Sequence, residues 1–81
     1  MKKIEIYSTP SCHFCHMAKD WLTEKGFSFI DYNVGLDTVK RAEMMEKSGQ
    51  MGVPVIVVDD KDLVIGFDKK VLIGLLGVSG E

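Results

Sequence analysis

The sequence contains few of the residues that build disulfide-stapled or membrane-spanning proteins. Among its 81 residues there are two cysteines and two prolines, and two cysteines are too few for a small secreted scaffold held together by disulfides. Its longest apolar stretches, such as Val55–Val58, are far shorter than the roughly 20 residues that cross a bilayer. Neither sign of charge dominates, because ten basic residues against twelve acidic ones leave a net charge of −2. We therefore expect neither a membrane nor a nucleic-acid partner.

The N-terminal segment also lacks the pattern of a secretory signal peptide. Lys2 and Lys3 would suit its basic start, but Glu5 and Pro10 interrupt the apolar region of about 7–15 residues that must follow. We expect a cytoplasmic protein, in which thiols stay reduced and paired cysteines are usually catalytic, redox-sensing or metal-binding. The hydrophobic fraction of 46% is that of an ordinary globular chain. At this length we expect one domain over residues 1–81, acting as a monomer.

Local patterns predict seven elements of secondary structure. The apolar residues Phe14, Met17, Ala18, Trp21 and Leu22 share one face of an amphipathic helix, and we expect Met17, Trp21 and Leu22 to lie in the core. The predicted elements are a strand over residues 3–7, this helix ending before Gly26, a strand over 27–32, a helix at Thr38–Ser48 capped by Asp37, strands over 54–58 and 63–65, and a helix through residue 76 capped by Asp68. The order βαβαββα predicts an α/β fold, a four-stranded mixed sheet with helices on both faces.

The two cysteines lie three residues apart at the start of the first predicted helix. At a helix N-terminus, free backbone N–H groups and the helix dipole favour an anion, so Cys12 is well placed to be a thiolate. Cys15 follows on the same face of the helix. Cys12 can therefore attack a disulfide, and Cys15 can displace the product from the resulting mixed disulfide. A Cys-x-x-Cys beside a βαβ pattern is typical of thiol–disulfide exchange.

Three motifs together resemble the glutaredoxins and glutaredoxin-like redoxins, which have the thioredoxin fold. They are the segment Tyr7-Ser8-Thr9-Pro10-Ser11-Cys12-His13-Phe14-Cys15, the segment Gly52-Val53-Pro54, and the segment Gly66-Phe67-Asp68, and the resemblance extends from about residue 2 to residue 76. It implies that Cys12 is the nucleophile and Cys15 the resolving cysteine, with no permanently bound cofactor. It also implies a cis Val53–Pro54 bond facing the cysteines, with the Val53 backbone pairing with the substrate.

The same resemblance implies glutathione as a co-substrate and disulfide-containing proteins as partners. The residues that it places at the glutathione site are Val53, Pro54, Gly66, Phe67, Asp68 and Arg41. The sequence departs from the glutaredoxin pattern at Thr9, where many members have a lysine, and at Lys69, which replaces the second residue of an acidic pair. Gly66-Phe67 also resembles redoxins that are reduced by thioredoxin reductase. The sequence leaves the reductant open between glutathione and thioredoxin reductase.

A different class of function uses the same cysteines as ligands. Cys12, Cys15 and His16 would be three ligands for zinc, and two chains could share an iron–sulfur cluster as some glutaredoxins do. The run Cys12–His16 also matches the attachment signature of c-type haem, but there is no export signal and a haem pocket would displace the predicted sheet. Some relatives carry selenocysteine at the position of Cys12. We expect no metal site in the enzyme.

His13 and Phe14 are candidates for modulating the cysteine pair. An imidazolium at His13 would stabilise the Cys12 thiolate and make the couple more oxidising, unless the ring is simply solvated. Phe14 would contact substrate if it is exposed beside Cys12, but its place on the apolar helix face is equally consistent with the core.

Overall fold

The computed structural model describes residues 2–78 and contains the seven predicted elements in the predicted order. These are β1 (Ile4–Ser8), α1 (His13–Glu24), β2 (Ile30–Asn33), α2 (Thr38–Ser48), β3 (Val55–Val58), β4 (Asp62–Ile65) and α3 (Lys69–Leu76). Within the described residues, no helix combines the length and the apolar character that crossing a bilayer requires.

The four strands form one mixed sheet in the order β2-β1-β3-β4. β1 pairs with β2 in parallel and with β3 antiparallel, and β4 pairs antiparallel with β3. β1 therefore lies inside the sheet, between β2 and β3, and all five of its residues are buried. The predicted mixed four-stranded sheet is confirmed, and the fold is thioredoxin-like.

Helices pack on both faces of the sheet, as predicted. On one face, Ile4 and Ile6 of β1 pack with residues of α1 and α3 such as Leu22 and Leu72. On the other face, α2 contributes Met44 to a smaller cluster, which also contains Tyr7, Val34, Val55 and Val57. The alternation of β1 side chains between the two clusters is the period-two pattern of a strand.

The topology brings two loops to the same edge of the sheet. The loop that follows Ser8 leads into α1, and β3 begins at Val55, which pairs with Tyr7 at the end of β1. Because β3 runs antiparallel to β1, the segment before Val55 lies next to the segment after Ser8. The cysteine pair and Pro54 are therefore neighbours in space although they lie far apart in the sequence.

Helix ends follow the local signals closely. Asp37 caps α2 by accepting a hydrogen bond from the Lys40 N–H, and Gly49 ends the helix at a φ of 71°. A left-handed residue at this position satisfies the last carbonyls and favours glycine. The predicted bounds of α2 are confirmed, because both of its ends carry a strong local signal.

Two expectations for individual segments are wrong. β2 begins at Ile30, and Phe27 and Phe29 pack against the core from the preceding loop instead of pairing in the sheet. Met17 is 39% exposed, whereas Trp21 and Leu22 are buried as expected. The buried face of α1 is centred on Cys15, Ala18 and Leu22, so Met17 lies at its margin.

Candidate active site

Cys12 is the N-cap residue of α1, so its side chain occupies the position of a capping group. Its backbone is extended, at φ −84° and ψ 111°, and its Sγ accepts a hydrogen bond from the Cys15 N–H at 3.1 Å. The Cys12 carbonyl accepts the first helical hydrogen bond, from the His16 N–H at 3.2 Å. The sulfur thus lies where the free N–H groups of the first turn can donate hydrogen bonds.

The other side of Cys12 faces the loop before β3. The Cys12 thiol lies 3.8 Å from the Val53 carbonyl oxygen, to which it can donate, and the Val53–Pro54 bond is cis, as the resemblance implied. Pro54 is buried and Val53 is partly exposed. The structure therefore brings Val53 and Pro54 to the cysteine pair and leaves the Val53 backbone beside the exposed part of Cys12.

Cys15 lies in a very different environment from Cys12. Both cysteines are free thiols, but Cys15 is 0% exposed while Cys12 is partly exposed. Burial, followed by the hydrogen bond with Cys12, raises the pKa of Cys15 to about 12. A backbone hydrogen bond with Thr9 and the charge of Lys19 lower this pKa and so act in the opposite direction. In the dithiol form, Cys15 is a protonated, shielded thiol at neutral pH.

This asymmetry predicts that only one thiol per chain reacts with iodoacetamide at pH 7. Burial raises the pKa of Cys15 well above neutral, so little of Cys15 carries a thiolate at that pH, and the thiolate is the nucleophile. We expect peptide mass spectrometry to find rapid modification of Cys12 and modification of Cys15 that is at least about 100-fold slower and accelerates as the pH rises. Equal rates at the two cysteines in the folded protein would contradict this expectation, and guanidinium-unfolded protein is the control in which both react.

His13 and Phe14 are both exposed at the start of α1. Phe14 is 58% exposed and packs edge-on against the His13 ring, with ring centroids 5.6 Å apart. The interpretation of Phe14 as a core residue is therefore wrong, because the helix turns its ring outward beside Cys12. Contact of Phe14 with substrate, and modulation of Cys12 by His13, stay predictions.

The Gly66-Phe67-Asp68 segment connects the site to α3. The Gly66 N–H donates to the Pro54 carbonyl at 2.8 Å, and the φ of 82° at Gly66 is in the left-handed region that favours glycine. Phe67 is partly buried and packs edge-on against Trp21, with ring centroids 6.1 Å apart. Asp68 caps α3 by accepting a hydrogen bond from the Val71 N–H at 3.3 Å.

Arg41 is one of the six residues assigned to a glutathione site, and its role there stays a prediction. It lies exposed on α2, which covers the opposite face of the sheet from α1 and α3. Gly66, by contrast, is joined to Pro54 directly, and Asp68 caps the helix that follows. The Phe67 ring packs against Trp21. If Phe67 contacts a substrate, we therefore expect the contact to come from its backbone and not from its ring.

A polar chain behind Cys15 is a feature that sequence patterns did not predict. The Ser8 hydroxyl donates to Asp31 Oδ1 at 2.6 Å, and Lys19 Nζ lies 2.9 Å from Asp31 Oδ2. The one signal that could have pointed to it was the spacing of Lys19, four residues after Cys15 on α1. Ser8 and Asp31 come from neighbouring strands, and their contact depends on a strand register that spacing alone does not reveal.

His16 does not join the cysteines in a ligand set. Its Nε2 lies 2.7 Å from the Pro10 carbonyl oxygen, so the ring bridges α1 and the loop before it. Across residues 2–78, no three His, Cys, Asp or Glu side chains are grouped so that they could hold a metal ion. The described part of the chain therefore does not assemble the zinc site that Cys12, Cys15 and His16 suggested.

A thioredoxin-like fold with a Cys-x-x-Cys at the start of α1 and a cis-proline facing it defines the class of redoxins. The family model for glutaredoxin matches residues 4–64, and the chain belongs to the glutaredoxin family. A glutaredoxin-like 8.6 kDa protein from the rubredoxin operon of Clostridium pasteurianum is 46% identical over 66 residues, which are 82% of this chain and 87% of the relative. Glutaredoxin 3 of Escherichia coli K12 is 41% identical over 59 residues, 73% of this chain and 71% of that protein.

Among solved structures, the glutaredoxin-like protein NrdH-redoxin from Escherichia coli is similar in fold. It superposes with a TM-score of 0.77 at 27% sequence identity, covering 95% of this chain and 97% of that one. NrdH-redoxin is described as having a thioredoxin-like activity profile. The similar proteins thus support thiol–disulfide oxidoreduction, and they include both a glutaredoxin and a redoxin with thioredoxin-like activity.

Proposed function

We propose that the protein is a glutaredoxin-like dithiol oxidoreductase of the cytoplasm, in which Cys12 is the nucleophile and Cys15 the resolving cysteine. One observation carries the proposal. Cys12 Sγ caps α1 and accepts the Cys15 N–H at 3.1 Å, while the Cys15 side chain is completely buried behind it. One sulfur is thus partly exposed at the N-terminus of α1 and hydrogen-bonded to a backbone N–H, and the other is shielded until the first has reacted. We propose that a single domain over residues 1–81 suffices for this chemistry.

In the first step, the Cys12 thiolate attacks one sulfur of a substrate disulfide. A bond forms between Cys12 Sγ and that sulfur, the substrate S–S bond breaks, and the other substrate sulfur leaves as a thiolate. Before the attack, the Cys12 sulfur accepts a hydrogen bond from the backbone N–H of Cys15. The reaction needs no cofactor, because the electron pair that breaks the disulfide comes from the thiolate itself.

In the second step, Cys15 attacks Cys12 Sγ in the mixed disulfide. The Cys15–Cys12 bond forms, the bond to the substrate breaks, and the substrate leaves as a second thiol. Two of the influences that raise the pKa of Cys15 come from Cys12, as a hydrogen bond and as a charge. Both change when Cys12 becomes part of a disulfide, so formation of the mixed disulfide itself prepares Cys15 to react.

The substrate would be held along the loop before β3 and the start of α3. The Val53 backbone beside Cys12 would pair with an extended substrate, as a short added strand. Pro54 and Gly66 are linked by a hydrogen bond and would shape the floor of this groove. Glutathione, as co-substrate, would place its γ-glutamyl end near Asp68 and the N–H groups at the start of α3, which suit its carboxylate.

The donor of electrons is tested by two assays run in parallel on the same protein. We propose glutathione, and we expect turnover of a glutathione mixed disulfide in the presence of glutathione, glutathione reductase and NADPH. The similarity to glutaredoxin 3 supports this choice. Turnover with thioredoxin reductase and NADPH instead would identify thioredoxin reductase as the electron donor. The likeness to NrdH-redoxin, and the presence of Thr9 where many glutaredoxins have a lysine, favour this alternative.

Either result in the paired assays would keep the chemistry of Cys12 and Cys15. A different outcome is that neither system supports turnover and that protein purified without oxygen contains iron and acid-labile sulfide. This outcome would contradict the enzyme proposal and favour a carrier of an iron–sulfur cluster shared between two chains. In that case the cluster would be the cargo, and the partly exposed Cys12 would be its ligand.

A further inference from the structure

The resolving step requires a thiolate at a fully shielded sulfur. Cys15 is 0% exposed, and burial is the largest cause of its raised pKa. A buried thiol gains a nucleophilic fraction only if nearby donors or positive charges stabilise its anion. The residues behind Cys15 therefore bear directly on the rate of the second step.

We propose that Lys19 is a positioning residue for the resolving step, because Asp31, itself hydrogen-bonded by Ser8, holds the Lys19 ammonium group on the face of α1 that carries Cys15. This inference rests on the proposed function, since it concerns a step that occurs only if Cys15 resolves a mixed disulfide on Cys12. It assigns a role to three residues outside the Cys-x-x-Cys and the cis-proline loop.

The geometry connects Lys19 to Cys15 by two routes. On α1, Lys19 follows Cys15 by four residues and thus shares its face of the helix. Across the sheet edge, Lys19 Nζ lies 2.9 Å from Asp31 Oδ2, and Asp31 Oδ1 accepts the Ser8 hydroxyl at 2.6 Å. Ser8 precedes Thr9, whose backbone hydrogen bond with Cys15 lowers the pKa of the thiol. Asp31 therefore links Lys19 on α1 to Ser8 at the end of β1, one residue before Thr9.

The burial of these groups makes the arrangement specific. The Ser8 residue is 2% exposed, and the Lys19 side chain is 21% exposed, much less than an ordinary surface lysine. A lysine held in this way keeps its charge in one place, whereas a fully solvated one is averaged by motion and screened by salt. Asp31 thus fixes the position of the ammonium group and also partly cancels its charge.

The charged and titratable groups around Cys15 come from three elements. Its own helix contributes Cys12, His16 and Lys19; the His16 ring turns to the Pro10 carbonyl. β2 contributes the carboxylate of Asp31, and β1 contributes the uncharged hydroxyl of Ser8. The Lys19 charge lowers the pKa of Cys15, in opposition to burial. Lys19 is thus the cation that favours the thiolate needed for resolution.

The side chains also border an open groove of about 180 Å³, lined by Ser8, Pro10, His16, Lys19, Asp31 and Asn33. The charged ends of Lys19 and Asp31 lie at this groove. In the resolving step, Cys15 loses its proton to solvent, its sulfur bonds to Cys12 Sγ, and the substrate sulfur departs with the electron pair of the broken bond.

Opposite charge changes should move the pH profile of the resolving step in opposite directions. Lys19→Met removes the stabilising cation and leaves the Asp31 carboxylate, so the thiolate form of Cys15 is disfavoured and the profile moves to higher pH. Asp31→Asn keeps a side-chain oxygen that can accept a hydrogen bond from Lys19 Nζ, so the ammonium group stays in place, but it removes the compensating negative charge, so the profile moves to lower pH. For a one-unit increase in the pKa of an attacking thiol, the loss of thiolate outweighs the gain in nucleophilicity by about threefold. We therefore expect resolution at pH 7 to slow by about threefold in Lys19→Met for each unit by which the pKa of Cys15 increases.

The experiment follows the reduced protein after it is mixed with one equivalent of 5,5′-dithiobis(2-nitrobenzoate) in a stopped-flow instrument. Attack by Cys12 releases one coloured nitrothiobenzoate, and attack by Cys15 on the mixed disulfide releases a second. The rate of the second release is measured between pH 5 and pH 9 for wild type, Lys19→Met and Asp31→Asn. Lys25→Met is the matched control, because it removes one lysine charge from the C-cap of the same helix, far from Cys15.

We expect the second release to shift to higher pH in Lys19→Met, to lower pH in Asp31→Asn, and to stay unchanged in Lys25→Met. An unchanged profile in Lys19→Met, or a shift in the same direction in both site variants, would overturn the proposal. Absence of any second release in the wild type would instead contradict the proposed function of Cys15. The two failures are therefore distinguished within one data set, and the first release monitors Cys12 in every variant.

Discussion

Replacing Cys12 with serine should abolish the reduction of both protein disulfides and glutathione mixed disulfides. A serine hydroxyl is not ionised at neutral pH and does not attack a disulfide, so we expect turnover to fall by at least about a thousandfold. The measurement is steady-state reduction of each substrate with whichever reductase system supports the wild type. The other cysteine, Cys15, cannot take over the attack, because it is completely buried.

We expect Cys12→Ser to remove the nucleophile without destabilising the fold. Cys12 is the N-cap of α1 and accepts the Cys15 N–H, and serine is among the residues preferred at that position. We therefore expect Cys12→Ser to unfold at a temperature at least as high as that of the wild type. A variant that is folded and inactive would support the role of Cys12. Substantial turnover in a folded Cys12→Ser protein would overturn the assignment.

Replacing Cys15 should separate the two substrate classes. Without a resolving thiol, a mixed disulfide on Cys12 can be released only by an external thiol such as glutathione. We expect Cys15→Ser to reduce glutathione mixed disulfides within about tenfold of the wild-type rate and to lose at least about 100-fold in the reduction of protein disulfides. The two assays are run on the same preparation, so that the ratio of rates does not depend on protein concentration.

The burial of Cys15 requires a second variant as a control. A hydroxyl in a site that is 0% exposed lacks a solvent partner and can destabilise the fold, whereas alanine leaves a small cavity. We expect Cys15→Ala to give the same separation of substrates as Cys15→Ser. Equal losses on both substrates in both variants would show that Cys15 supports the structure of the site and does not resolve the intermediate.

The part of the fold that could be predicted is the part encoded by local signals. α2 carries a capping aspartate, Asp37, and a terminating glycine, Gly49, and its predicted bounds agree with the structure. β3 is a run of β-branched residues that is buried on both faces of the sheet. The placement of Cys12 at the start of α1 followed from the turn residues before it and the apolar periodicity after it. Each of these features depends on a few neighbouring residues.

The errors arose where distant contacts decide the structure. Phe27 and Phe29 have strand propensity, but the core holds them through packing against the α1 and α3 face of the sheet, and pairing in β2 begins only at Ile30. Met17 lies on the predicted apolar face of α1 but at its margin. Its exposure there depends on how far the neighbouring elements extend across the helix. Propensity is a weak guide in such places, since tertiary contacts override it.

Most of the site residues were predicted from the resemblance to glutaredoxins and not from the spacing of residues in the sequence. The cis bond at Pro54 is not encoded in the residues around it, and its proximity to Cys12 depends on the antiparallel pairing of β1 and β3. The chain of Ser8, Asp31 and Lys19 could not be predicted, because it depends on the register between β1 and β2. Local sequence identifies candidates, and the strand order decides which of them meet.

The central claim is that Cys12 forms the covalent intermediate, and trapping tests it most directly. A folded Cys15 variant is incubated with a substrate protein disulfide, quenched with acid, and digested for mass spectrometry without reducing agent. We predict a stable mixed disulfide between the substrate and Cys12, and no such adduct in the wild type, where Cys15 releases it. An adduct that accumulates equally in the wild type, or the absence of an adduct on Cys12 in a Cys15 variant that consumes substrate, would contradict the claim.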